Sequence, residues 1–199
     1  MGCIDYYTEK LTEACGKLDE GINNRSLTDI PVKEWRIFEI VVNLHLALAS
    51  ILFIAGCVCF CIGLKFSIMF DAVNCSDGVN IFPPMINLMG AFTGLFTLRT
   101  LHLKWPAFIH LISTFIVLPL NLITAIDLFV NSAHWSNYWS NYPNNIPELS
   151  TSDWSTSFLW MDIGIAFIAI LNDIACSFIL FIYFKFWYPL HSLSTLYTP

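Results

Sequence analysis

The chain has 199 residues, of which 56% are apolar by the set AVILMFWYC and only 12% are charged, with a formal net charge of −6. Soluble domains carry roughly 25% charged residues, so this composition favours the membrane class over a soluble globular domain. The acidic balance and the lack of a basic stripe argue against nucleic acid as a partner. The 17 Phe, 7 Trp and 7 Tyr suit contact with a lipid bilayer, which is the first predicted partner.

Residues 1–36 are predicted to form a cytosolic segment with an amphipathic helix. One face is apolar because apolar residues recur at three- and four-residue steps. Helices that bind anionic membrane surfaces are usually rich in Lys and Arg, whereas the opposite face here is acidic. We expect the apolar face to pack against the end of the bundle, with a docking helix for a partner as the alternative. The apolar residues are Ile4, Tyr7, Leu11, Cys15, Leu18 and Ile22.

Four apolar runs then follow, each near the length of about 20 residues that a membrane span needs. They are predicted at about residues 37–64, 79–101, 106–130 and 158–184. Pro83 and Pro84 fall in the first turn of the second span, where proline is tolerated. The predicted fold class is therefore all-α: a four-helix transmembrane bundle over residues 37–188, with an aromatic outer loop at 131–157 and a short cytosolic tail at 189–199.

The basic residues predict the orientation, because Lys and Arg collect on cytoplasmic flanks. Of nine basic residues, all except Lys65 lie before the first span, between the second and third, or after the fourth. Lys65 is placed at a helix end, where its apolar stem can reach the interface. Both termini are thus predicted to be cytosolic and both outer loops to face the lumen or the cell exterior. The sequence leaves open whether the membrane is the plasma membrane or an endosomal or lysosomal one.

The outer loops hold two candidate sites. Asn74, followed by Cys75 and Ser76, is a glycosylation candidate on the correct side of the membrane. The long loop repeats the pattern Trp-Ser-Asn-Tyr, which would stack its rings at four-residue steps if the stretch is helical. Such a helix either lies on the outer leaflet or forms a recognition surface for a partner or a carbohydrate. The aromatic residues are Trp135, Tyr138, Trp139 and Tyr142.

Polar residues inside the spans are the candidate intramembrane sites. A carboxylate in mid-bilayer costs about 2.5–3.5 kcal/mol, so Asp173 is expected to face the bundle interior. It is then either an ion or proton site or a hydrogen-bonded carboxyl that fixes the packing, with His45 or Asn43 as its expected partner. Asn172, Asn87, His110 and Asn121 are further candidates. A polar and small stripe is predicted at steps of four, three, four and three along Asp162, Ala166, Ala169, Asp173 and Cys176.

Two further patterns concern packing. Gly90 and Gly94 form a GxxxG pattern that allows close helix contact, within the bundle or between protomers. The cysteines are not expected to form a disulfide framework. Those in apolar runs, Cys57, Cys59, Cys61 and Cys176, are interpreted as small buried apolar residues.

No catalytic or phosphate-binding motif is recognisable, and the five His residues do not recur at metal-ligand spacing. We therefore expect a non-enzymatic protein without cofactor or metal. The favoured function is a membrane organiser or trafficking adaptor that contacts other membrane proteins, or itself, through its helices and the aromatic outer loop. A small oligomeric channel or a proton-coupled carrier using Asp173 is the alternative.

The layout also resembles a known family. A very short second connection, Trp105-Pro106 opening the third span, and aromatic and basic residues from Tyr183 to Tyr188 ending the fourth are similar to the lysosome-associated four-span transmembrane family. This resemblance implies a sorting-adaptor role. The Pro-Tyr tail motifs by which that family recruits ubiquitin ligases are absent here.

Overall fold

The structure, a computed structural model, describes residues 3–21, 27, 30–66, 81–141 and 152–187, and the secondary structure of this part is helical. The helices are α1 (Cys3–Gly21), α2 (Val32–Phe66), α3 (Phe82–Arg99), α4 (Trp105–Asn141) and α5 (Ser152–Ile182), and α5 continues into a π-helical segment, Tyr183–Trp187. The four predicted spans fall on α2 to α5. Of these, α2 and α4 are longer than predicted, α5 begins earlier, and α3 is shorter.

Three of these helices are long and apolar enough to cross a membrane. The stretches are Val32–Cys61, Trp105–Ala133 and Trp160–Phe186, with mean hydropathies of 2.4, 2.0 and 2.4. By contrast, α3 has 18 residues and includes Pro83, Pro84 and Arg99. Large apolar side chains cover the outer faces of all four helices, among them Ile40, Ile54, Met89, Phe92, Phe115, Ile123, Phe167 and Phe178. Such a surface suits lipid, so the structure is consistent with an integral membrane protein.

The helices α2 to α5 form a four-helix bundle. Each packs against the next along the chain, and α5 packs back against α2, which closes the ring. The turn between α3 and α4 is tight, because Thr100 donates its N–H to Phe96 and accepts from Leu103 N–H at 3.0 Å. Such a short connection places consecutive helices antiparallel. The core side of α2 shows the alternating steps of four and three typical of bundles, with Phe38, Val42, His45, Ala49 and Leu52 all buried.

The bundle has two chemically different ends. At the proximal end, the segment before α2 inserts Leu27 and Ile30 into an apolar cluster with Phe38 and Tyr183. The first turn of α4 and helix α1 lie at this end. The distal end holds the far part of α2 with Cys59. From Phe38 to Cys59, α2 rises about 30 Å at 1.5 Å per residue, close to the thickness of a bilayer core.

Two cysteines depart from the sequence-based expectation: Cys61 is exposed rather than buried, and Cys59 is not a free thiol. Cys59 is buried, as expected, but its sulfur forms a disulfide. Cys15, Cys57, Cys61 and Cys176 are free thiols, so none of them is its partner. A hydropathy pattern cannot distinguish a small apolar cysteine from one half of a disulfide, because both are buried.

Candidate functional site

The core of the bundle contains polar side chains from all four helices. The hydroxyls among them are satisfied locally, since Thr97, Thr114, Thr124 and Ser132 each donate to a backbone carbonyl one turn earlier in their own helix. The buried imidazoles of His45 and His110 instead have their partners on other helices, and buried amides lie beside them. They therefore form the candidate functional site.

His45 on α2 contacts two other helices. Its Nε2 lies 2.9 Å from the amide oxygen of Asn87 on α3 and 3.6 Å from the sulfur of Cys176 on α5. Because an amide oxygen only accepts, Nε2 carries the proton in this arrangement. His45 and Asn87 are fully buried, so the bond ties α2 to α3 inside the bundle. The predicted partnership of His45 with Asp173 is wrong: its partner is Asn87.

His110 on α4 forms a second pair nearer the proximal end. Its Nδ1 lies 2.8 Å from the hydroxyl of Tyr183, on the π-helical segment that follows α5. The ring of Phe38 packs edge-on against both, at centroid distances of 6.3 Å and 5.3 Å. Sequence reasoning named His110 but assigned no core position to Tyr183. The steps of four and three from Cys176 through Ile179 reach Tyr183 and would have predicted one.

The two imidazoles stack without a hydrogen bond between them. The rings of His45 and His110 are within 20° of parallel, with centroids 6.5 Å apart. His110 also packs directly on Gly94, where an added Cβ would lie 2.7 Å from Nε2 of His110. The polar groups are thus two separate pairs locked by tight packing. Together they specify which helices are neighbours.

Gly90 and Gly94 serve contacts inside the bundle. A Cβ at Gly90 would lie 3.1 Å from Cγ2 of Val117 on α4, and one at Gly94 would lie 3.0 Å from Cγ1 of Val42 on α2. Both glycines are buried. Of the two alternatives for the GxxxG pattern, close contact within the bundle is the one that this geometry displays.

A third polar group lies farther toward the distal end. Asn172 is fully buried, and neither of its side-chain polar atoms forms a hydrogen bond in the described part of the chain. Asp173 lies beside Asn121 of α4 and is only partly buried. Asn172, rather than Asp173, therefore occupies the interior position on α5, which corrects the predicted stripe at this step. The other predicted interior members, Ala166, Ala169 and Cys176, are buried.

Two other predicted polar residues lie away from this core. Asn43 is exposed and donates its Nδ2 to the carbonyl of Glu39 in its own helix at 2.8 Å, so it is not a partner for Asp173. Asp162 is half-buried near Asp127 of α4. Asp127 in turn accepts a hydrogen bond from Nδ2 of Asn131 at 3.1 Å.

The predicted outer-loop sites are described only in part. The backbone of α4 is helical up to Asn141, so Trp135, Tyr138 and Trp139 lie on a helix. Their side chains, together with Tyr142 and Asn74, lie outside what the structure describes. Among the described residues, no group of three or more His, Cys, Asp or Glu side chains could hold a metal ion.

Helix α1 attaches to the proximal end through one carboxylate. Oδ1 of Asp19 accepts hydrogen bonds from the backbone N–H groups of Lys104 and Trp105, the second at 3.1 Å. These N–H groups begin α4 and have no partner within that helix, so Asp19 caps α4 from another helix. Leu18 is 59% exposed, so the expected packing of the apolar face on the bundle is not made by this residue.

Comparisons with known proteins identified no relative of this chain. No protein-family model matches the chain, and neither a curated protein nor a solved structure is significantly similar to it. The fold and the site define the class, a helical bundle with polar contacts inside and apolar faces outside, consistent with an integral membrane protein.

Proposed function

We propose that this chain is a multi-pass membrane protein with four spans and both termini in the cytosol, acting without chemistry of its own as a membrane organiser or trafficking adaptor. The four-span count is supported by the ring of helices. Because α3 packs between α2 and α4, it runs alongside two helices that are long enough to cross the bilayer. Pro83 and Pro84 lie in the first turn of α3. Asn87, Gly90 and Gly94 are buried inside the bundle, so their low hydropathy is not exposed to lipid.

Two independent observations support the orientation. The proximal end collects Arg99, Lys104 and Lys185, as cytoplasmic flanks do. The disulfide of Cys59 is at the distal end, and disulfides persist in oxidising compartments rather than in the cytosol.

The observation that carries the adaptor function is the position of α1. This helix is held at the proximal end by Asp19, while Glu9, Glu13, Leu18 and Glu20 are exposed. Its acidic surface does not favour burial in an anionic leaflet. The exposed Leu18, which the bundle does not cover, fits a docking contact with another protein. The likeness in layout to the lysosome-associated four-span family, on Trp105-Pro106 and the end of the fourth span, supports the same role.

The adaptor function is tested at Leu18. Changing Leu18→Glu adds a charge to the exposed apolar face of α1 and leaves the core of the bundle untouched. We expect proximity labelling in native membranes to lose a specific set of neighbours, with unchanged protein level. The matched control is Glu9→Gln, which changes charge on the acidic face. An identical set of neighbours for the wild type and Leu18→Glu would contradict the proposal.

The second candidate is a channel or proton-coupled carrier. It is favoured by one observation: neither polar atom of the buried Asn172 side chain has a hydrogen-bond partner among the described residues, next to Asp173 near mid-span. A buried amide without a partner costs about 1–3 kcal/mol, and a transported ion or proton carrier could supply one. The adaptor is preferred because the packing at Gly94, where an added Cβ would lie 2.7 Å from Nε2 of His110, leaves little space for an ion path toward the proximal end.

A further inference from the structure

The outer surface between α3 and α4 contains a groove at the proximal end. It has a volume of about 260 Å³. Phe92 and Phe96 from α3 and Ile109 from α4 are all partly exposed along it. The ring of Trp105 closes one end, 5.6 Å from the ring of Phe96. The lining residues are Phe92, Thr93, Phe96, Trp105, Pro106 and Ile109.

The groove is apolar despite the threonine in its wall. Oγ1 of Thr93 donates to the carbonyl of Gly90 at 2.6 Å and lies 3.0 Å from Oγ of Ser113, so its hydrogen bonds are directed into the helices. What remains toward the groove is hydrocarbon. A hydrocarbon groove on the lipid-facing side of a membrane bundle fits an acyl chain.

A basic residue marks the proximal end of the same groove. Arg99 follows Phe92 and Phe96 at steps of four and three, so these three residues share one face of α3. Arg99 is exposed in the last turn of α3, and its guanidinium forms no ion pair within the described residues. Lys104, directly before α4, adds a second cation at this end. A guanidinium is the group best shaped to bind a phosphate through two parallel hydrogen bonds.

We propose that this groove binds one anionic phospholipid, with an acyl chain along Phe92, Phe96 and Ile109 and the headgroup phosphate at Arg99. The proposal rests on the membrane placement given under Proposed function. In that placement the proximal end meets the cytosolic leaflet, which is the leaflet enriched in anionic lipid.

Trp105 provides the test, because bromine atoms on an acyl chain quench the fluorescence of an indole in contact with them. The full-length protein is reconstituted in phosphatidylcholine vesicles that contain either brominated phosphatidylserine or brominated phosphatidylcholine at equal mole fraction. The contribution of Trp105 is the difference between the wild type and Trp105→Phe. We expect phosphatidylserine to occupy the groove about fivefold more strongly, the gain expected for one cation near anionic lipid.

The variant Arg99→Gln tests whether the lipid preference depends on Arg99, and Lys185→Gln is its matched control. Both remove one exposed cation from the proximal end, but Lys185 packs over the ring of Phe181 on α5 and that of Phe186 on the π-helical segment, and none of these residues lines the groove. Arg99→Gln should bring the preference close to one, and Lys185→Gln should keep it. Equal quenching by the two lipids in the wild type, or a preference that survives Arg99→Gln, would overturn the proposal.

Two features keep this result separate from the proposed function. Brominated lipid is present in both leaflets, so the quenching does not depend on which way the protein is inserted. Partner capture by α1 does not involve the groove. Native mass spectrometry of the same variants provides a second readout, in which the wild type should retain phosphatidylserine over phosphatidylcholine and Arg99→Gln should retain neither selectively.

Discussion

At the scale of single residues, adjacent positions on one helix were the hardest to assign. Steps of four and three along α5 fit both Asp173 and its neighbour Asn172, which differ by about 100° around the helix axis. The stripe therefore predicted the right face but the wrong residue at its middle. The choice is made by the neighbouring helices, since Asn172 is buried and Asp173 lies beside Asn121. No pattern within one helix contains that information.

The position of Asn43 was also not predictable from the pattern of its own helix, but for a different reason. A polar residue in an apolar span is expected to seek a partner on another helix, yet Asn43 bonds to the carbonyl of Glu39 one turn earlier. This local bond lets it remain on the outer face. His45, two residues later, bonds to Asn87 rather than to Asp173, which was its predicted partner.

Gly94 offers a direct test of the packing. Changing Gly94→Ala places a Cβ 2.7 Å from Nε2 of His110 and 3.0 Å from Val42, so a neighbour has to move. We expect a loss of about 1–3 kcal/mol, as for overpacked cores, measured as a lowered midpoint of unfolding in detergent. Gly164→Ala is the matched control, because nothing lies within 4 Å of its added Cβ. Equal midpoints for the two variants would show that the contact at Gly94 is loose.

Asp173 separates the two candidate functions. A carboxyl that only fills space beside Asn121 should tolerate Asn, which has nearly the same shape and still forms hydrogen bonds. A proton carrier cannot tolerate it, because Asn does not titrate. For an adaptor we expect Asp173→Asn to fold normally and to match the wild type in a vesicle assay of pH-driven flux, neither moving protons. Flux in the wild type that disappears in a well-folded Asp173→Asn protein would favour the carrier.

At the scale of helices, apolar run length predicted where the long helices lie but not how they end. α4 continues to Asn141, beyond the predicted limit at residue 130, because Ser, Ala, His and Trp do not break a helix. α3 is held to 18 residues by its paired prolines and by the tight turn at Thr100. Hydropathy indicates whether a helix can contact lipid, whereas the positions of these helix ends depend on local backbone chemistry.

The attachment of α1 was also beyond the sequence. Its amphipathic pattern predicted a helix with one acidic face, but no contact for Asp19 with another helix. The cap that it forms on α4 joins residues 85 positions apart in the chain. The spacing of apolar residues within α1 cannot predict a contact with a residue so far away in the sequence.

The cap can be removed alone. Changing Asp19→Ala leaves the N–H groups of Lys104 and Trp105 without their acceptor, which typically costs about 0.5–2 kcal/mol at a helix start. We expect faster hydrogen exchange in the first turn of α4 and faster proteolysis of α1. Glu20→Ala, on the next and exposed residue, should change neither. If exchange at the start of α4 is the same in both variants, α1 is not held by this carboxylate.

At the scale of the whole molecule, composition and apolar run length were sufficient to predict helices long and apolar enough to cross a membrane, and the order of apolar runs was sufficient to predict a helical bundle. The arrangement of the ring required the structure, since any of several orders fits four similar apolar helices. The contacts that select it are few: His45 with Asn87, and His110 with Tyr183 against Gly94. Each contact joins residues on different helices, and none of these residues stands out from the sequence of its own helix.

The central claim is that α3 is a true span, so that the chain crosses the membrane four times and returns to the side on which it began. Accessibility of short tags in intact cells and after selective permeabilisation measures this directly, with one tag following residue 199 and another inserted at Ser150. We expect the tag after residue 199 to be exposed to the cytosol, as the N-terminus is, and the tag at Ser150 to be protected. Termini on opposite sides of the membrane, as three spans require, or a cytosolic tag at Ser150, would contradict it.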